Sequence, residues 1–152
     1  MTTESQHSIE IVVGLPGSGK TTYLEKKLES GEIDAFYDDY QKGAPEDDKS
    51  NPEKSPNFRA LSSDIEAGRR VALADIRYCV PEELDIIQAV VKQEWPELVI
   101  VTRFFENNIE ACKHNVRLRA RPDYVDAELQ FIDEHSPEYK PLNGNVLPVI
   151  MG

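Results

Sequence analysis

The chain has 152 residues, enough for one domain with a sizeable core. Its 28 acidic and 17 basic side chains give a formal net charge of -11. An acidic surface of that kind excludes an extended nucleic-acid-binding face, although a local basic groove stays open to it. No apolar run is long enough to span a bilayer.

Residues 1–7 carry no basic or apolar leader and read as a polar lead-in rather than a signal peptide. Ile9, Ile11, Val12 and Val13 predict a buried first strand. Gly14-Leu15-Pro16-Gly17-Ser18-Gly19-Lys20-Thr21 follows and fits G-x-x-x-x-G-K-[ST]. Residues 22–30 then predict a helix, with Leu24 and Leu28 one turn apart and Gly31 as its C-terminal stop. Residues 33–37 predict a second strand running into Asp38-Asp39-Tyr40.

Residues 42–57 hold Pro45, Pro52 and Pro56 among Asp, Glu, Lys and Ser, and read as a solvated, mobile insertion or a substrate-side flap. Phe58, Leu61 and Ile65 share a helical face that Gly68 closes. Residues 71–75 predict a buried strand ending in Asp75. Pro81, Glu82 and Glu83 open a helix whose inward face is Leu84, Ile87, Val90 and Val91, ended by Trp95-Pro96. Residues 98–104 predict a fourth strand. Asn107 or Asn108 can cap the next helix, with Ile109, Cys112 and Val116 as its apolar stripe. Pro122 breaks the run Arg117-Leu118-Arg119-Ala120-Arg121. A last helix turns Val125, Leu129 and Ile132 inward, and a turn at 143–145 leads to a final strand over 146–150. Apolar strands alternating with helices imply one α/β domain over 1–152, built on a parallel sheet covered on both faces.

The glycine-rich stretch carries the chemistry. Gly14, Gly17 and Gly19 allow φ > 0 and close approach of backbone to a ligand. Successive N–H groups can then face one concavity at the positive end of the following helix, which makes an anion site. Lys20 adds a mobile positive charge for terminal phosphate oxygens, and the Thr21 hydroxyl can ligate Mg2+. Pro16, Ser18 and Thr22 complete the nucleotide-contacting stretch. The plain alternative is a Gly-rich turn that binds nothing.

In an open parallel sheet, ligands sit beyond the carboxyl ends of the strands. Asp38, Asp39 and Asp75 end strands there, so topology sends them to the rim that holds the glycine loop. Phosphoryl transfer needs a cradle, a metal, an oriented hydroxyl and positive charge over the moving group. Asp38 fits the carboxylate that takes the acceptor's proton, and one residue of register would hand that role to Asp39. Asp75 fits the Mg2+ side, a substrate hydroxyl, or a turn. Arg77 can meet an acceptor phosphate or form a surface ion pair. Arg117, Arg119 and Arg121 form the densest positive charge, either a lid over the triphosphate across 107–122 or a solvated helix face. Cys79 and Cys112 form no motif and read as reduced core thiols of a cytoplasmic protein. His7, His114 and His135 show no metal-ligand spacing.

With Gly14 to Thr22, Phe36-Tyr37-Asp38-Asp39-Tyr40-Gln41, Ala74-Asp75, and Asn107 to Arg121 quoted together, nearly the whole chain resembles the P-loop kinases of the polynucleotide kinase type. Zeta toxins and chloramphenicol phosphotransferases are relatives of that group. The closest likeness is to the kinase domain of phage-type polynucleotide 5′-kinase. The resemblance implies a P-loop kinase fold, with a five-stranded parallel sheet in the order 2-3-1-4-5 and helices on both faces. It also implies ATP and Mg2+ as cofactors, Asp38 as general base, Asp75 at the end of strand three, and lid arginines after Asn115. Gln41 stands where the family often has an arginine, and His114-Asn115 where it has Arg-Asn.

The expectation is therefore an ATP- and Mg2+-dependent phosphotransferase that moves a γ-phosphate to a hydroxyl. Its acceptor is a nucleic-acid 5′-hydroxyl, a nucleoside or nucleotide, or a small metabolite. A silent nucleotide-binding scaffold and a plain hydrolase are the rivals. No Asn-Lys-x-Asp guanine signature is present to suggest a GTPase switch.

Overall fold

A computed structural model describes residues 8–38, 56–119, 124–141 and 146–151. Four strands, β1 (Ser8–Val13), β2 (Ala35–Asp38), β3 (Val71–Ala74) and β4 (Val99–Phe104), form one sheet in the order β2-β3-β1-β4. Every pairing is parallel. Five helices accompany them: α1 (Lys20–Glu29), α2 (Pro56–Glu66), α3 (Pro81–Glu94), α4 (Ile109–Arg119) and α5 (Val125–His135). A short 3₁₀ helix, Ile76–Cys79, links β3 to α3.

Among the described residues the sheet has four strands, and the expected fifth is not formed. Residues 146–150 give a single parallel bridge, Phe105 to Leu147, instead of a fifth strand. Ile150 N donates to Ser18 O and Val149 N to Glu106 Oε2. The segment thus commits its backbone to the glycine loop and to the end of β4, and a chain turned that way cannot continue a ladder.

Strand alternation divides the core. Ile9, Ile11, Val13, Val71 and Leu73 face one side, where Leu61 of α2, Ile87 and Val91 of α3, Cys112 and Val116 of α4, and Ile132 of α5 meet them. Val12, Ala72 and Ala74 face the other side, against Leu24 of α1 and Phe105. Both faces being covered, the strands need apolar residues at nearly every position.

Two expectations shift. Pro56 does not close the insertion; it opens α2, where a missing N–H costs nothing. In α4 the inward positions are Cys112, Asn115 and Val116, whereas Ile109 is 37% exposed. Residues 42–55 of the insertion, the break at Pro122 and the turn at 143–145 lie outside the described residues. Among the described residues no helix is long and apolar enough to cross a membrane.

One buried charge lies on the central strand. Glu10, 8% exposed, accepts from Tyr23 Oη at 2.6 Å and from Lys27 Nζ at 2.8 Å, while Arg103 Nε stands 3.4 Å away. Tyr23 and Lys27 are one turn apart on α1, so one helical face meets the carboxylate twice. Burial, and then Glu10, push the Tyr23 hydroxyl up. Burial alone would lower Lys27, but its bonds to Glu10 and Tyr23 outweigh it and hold the ammonium above its ordinary value. Glu10→Ala strands these partners and should cost on the order of 2–3 kcal/mol, read from urea unfolding. A change under about 0.5 kcal/mol would show that the cluster holds nothing together.

Burial also pushes the Cys79 thiol up to about 12 and the Cys112 thiol to about 11, from an ordinary 9.0. Raised folded-state values favour the protonated forms. Their stabilisation is complete below the unfolded value and disappears as pH rises through the folded one. The urea midpoint should therefore hold steady to about pH 9 and decline from there toward 11–12. Native protein at pH 8 should resist thiol alkylation that proceeds freely in urea.

Candidate functional site

The site is built where the central strand turns into the first helix. β1 ends at Val13, and Gly14 begins a loop that Gly19 closes as the N-cap of α1. Ser18 N donates to Leu15 O at 3.0 Å, folding the loop on itself. Gly17 has φ 83° and Gly19 has φ 103°, values that a side chain with Cβ resists.

Gly14 departs from the expectation, because it is absent from the positive-φ glycines. Its constraint is space: a Cβ there would lie 2.4 Å from Ser18 Oγ. A Cβ on Gly17 would lie 2.3 Å from Cys112 O, and one on Gly19 would lie 2.7 Å from Ile150 Cβ. These glycines thus admit neighbouring chain, α4 and residue 150, against the back of the loop. Pro16 and Ser18 are buried within it.

Lys20, 7% exposed, folds its side chain back across the loop. Its Nζ donates to Gly14 O at 2.7 Å and Leu15 O at 3.1 Å, and stands 3.5 Å from Ser18 Oγ. A cation is thereby held at the turn. Two backbone carbonyls are among the groups that hold it there. Thr21 and Thr22 are exposed on the first turn of α1.

The sheet register brings in the carboxylates. Val12 of β1 pairs with Ala74 of β3, and Ala74 pairs with Asp38 of β2. Asp75 follows Ala74, so it leaves the sheet one strand from the loop. Asp38 ends its strand two spacings away, about 10 Å at 4.8 Å per strand. Asp75 is 1% exposed, and its Oδ1 accepts from Arg77 N at 2.7 Å. That bond caps the 3₁₀ helix, so Asp75 has a structural duty as well as a place at the rim. Arg77 is exposed.

The arginines divide. Arg117 is exposed on α4, and Arg119 donates to Glu128 Oε1 of α5 at 3.0 Å. Arg121 lies outside the described residues, as do Asp39, Tyr40 and Gln41. The sequence reading missed Glu106 and Ile150, and it used Asn115 only as a marker before the lid arginines. Asn115 Nδ2 donates to Gly17 O and to Ile150 O, each at 2.8 Å. The available signal was its register: Asn115 lies between Cys112 and Val116 on the inward side of α4.

An Mg2+ ion suits the donor types. Thr21 and Asp75 offer hard oxygens, and this ion takes few protein ligands alongside phosphates and water. Among the described residues no group of three or more His, Cys, Asp or Glu could hold a metal by itself.

No protein-family model and no curated protein matches the chain. Among solved structures it is similar to the crystal structure of APE1195, with a TM-score of 0.54 and 14% identity, covering 96% of this chain and 86% of that one. At that identity the likeness bears on the fold alone: an α/β chain with a parallel sheet and helices.

Gly17→Ala should destabilise the protein by roughly 2 kcal/mol or more, since it adds a clash with Cys112 O to an unfavourable φ. Gly31→Ala is the control: its φ is 81° but its surroundings are open. It should cost about 1 kcal/mol in the same thermal melt. Equal losses would show that the backbone angle alone matters at Gly17.

Proposed function

We propose that this chain is an ATP- and Mg2+-dependent phosphotransferase of the P-loop kinase type, acting on a hydroxyl acceptor. The observation that carries the reading is the full eight-residue phosphate-loop motif at a strand-to-helix turn, with Lys20 folded onto it. Asp75, just after β3, and Asp38, at the end of β2, stand one and two strand spacings from that turn and supply the acidic residues the chemistry needs.

In this reading the loop amides and Lys20 hold the β- and γ-phosphates. Magnesium, when bound, supplies neutralisation of the phosphate charge, with Thr21 and Asp75 as its protein-side donors. Asp38 accepts the acceptor hydroxyl's proton as the acceptor oxygen bonds to the γ-phosphorus. The bond from that phosphorus to the β-γ bridging oxygen breaks, and ADP leaves with the electron pair. Arg77 and Asp39 belong to the acceptor side. Arg117, Arg119 and Arg121 supply positive charge over the transferring group, and Arg119 has to exchange Glu128 for phosphate to do so. The acidic surface favours a small acceptor or a nucleic-acid end over a long duplex.

The test is ATP consumption with and without a pool of nucleosides, 5′-hydroxyl oligonucleotides and hydroxylated metabolites. Lys20→Ala should lower turnover by about 10³-fold or more. Asp38→Asn should lower kcat by roughly 10²- to 10⁴-fold while ATP still binds. Turnover that needs no acceptor would make the protein a hydrolase. Tight ATP binding with no turnover under any condition would make it a scaffold.

A further inference from the structure

A trans peptide points its C=O and the following N–H to opposite sides. Whatever grips the carbonyls of a loop therefore aims its amides. In the glycine loop Lys20 Nζ holds Gly14 O and Leu15 O, and Tyr23 N holds Gly19 O at 2.9 Å. Ile150 N holds Ser18 O at 3.0 Å, which turns the Gly19 N–H to the opposite side. Asn115 completes the arrangement from behind, giving one N–H to Gly17 O and the other to Ile150 O.

We propose that Asn115 is a positioning residue, one that sets the direction of the loop amides by clamping Gly17 and the segment that holds Ser18. The proposal rests on the phosphate-binding reading of the loop. The chemistry selects the residue type. Both acceptors are carbonyl oxygens, so the amide nitrogen must face them and the side-chain assignment is fixed. An isosteric carboxylate has no hydrogen to give and would set charge against two oxygens. An aliphatic side chain would leave both carbonyls without this donor.

Proximity explains how so short a side chain reaches. A Cβ on Gly17 would lie 2.3 Å from Cys112 O and 3.1 Å from Val116 Cγ2, so α4 touches the loop on both sides of Asn115. The amide is 6% exposed, which keeps water from replacing it. The relay runs from Asn115 to Ile150, from Ile150 N to Ser18 O, and so to the amide of Gly19. Asn115 touches no phosphate itself.

Hydrogen exchange of the ligand-free chain and calorimetric ATP binding test this together. Asn115→Ala should speed exchange at the Ile150 amide, whose N–H holds Ser18 O, while α5 keeps its protection. It should also weaken ATP binding about tenfold, the worth of one hydrogen bond. Asn115→Asp keeps the shape without the donors and should lose at least as much. Should the alanine variant not fold, Asn115→Ser is read in the same two assays.

A merely structural residue would lower the melting temperature and loosen α4 and α5 together, with ATP affinity unchanged in the folded fraction; that result overturns the proposal. Unaltered exchange at Ile150 overturns it as well. The exchange measurement needs no ligand. If the wild-type chain binds no ATP, the kinase reading fails, and the exchange data still decide whether Asn115 aims the loop.

Discussion

A loop can offer its amides to an anion only after its own carbonyls have found donors. This constraint organises the turn from β1 into α1. Each buried carbonyl left without a partner would cost about 1–3 kcal/mol, a large share of a small domain's stability. Here the donors come from a lysine inside the loop, the first turns of α1, a helix 98 residues away in sequence, and the segment at residue 150. Closing a loop over that sequence distance carries an entropy cost that the tertiary core has to offset. The position of α4 and the conformation of the glycine loop are consequently one feature.

The chain buries charge in two different ways. Glu10 is surrounded by Tyr23, Lys27 and Arg103, whose donors suit a carboxylate and hold α1 to β1 and β4. Removing one partner strands the others, so the cluster acts as a fixed anchor. Lys20 instead donates to the backbone carbonyls of Gly14 and Leu15. The first arrangement specifies packing. The second fixes a cation across the glycine loop. Asp75 lies between the two, since its cap on the 3₁₀ helix fixes it in place at the same rim.

Features set by local physics could be read directly. The apolar runs of β1 and β3 and the helix opening at Pro81-Glu82-Glu83 depend on neighbours a few residues apart. Features set by distant partners could not. Gly14 has an ordinary backbone sign, and its need for space comes from Ser18 packing against it. Glu10 interrupts an apolar strand for a reason visible only once α1 lies over it. Residues 146–150 have a strand's composition, but their backbone groups go to Ser18, Glu106 and the end of β4. Pro56 reads equally well as a loop breaker or a first helical residue, because both suit a residue without an N–H.

By itself the sequence determined the glycine-rich run G-x-x-x-x-G-K-T between an apolar strand and a helix, and acidic residues at the ends of two further strands. Those follow from residue type and spacing, which neighbouring backbone geometry enforces. Only the tertiary structure decided that Asn115 and Ile150 hold the loop from behind, that Arg119 is engaged by Glu128, and that the sheet has four strands among the described residues. These depend on which donors reach which acceptors after the helices pack. A hydrogen bond across that distance leaves no periodic trace in the chain that makes it.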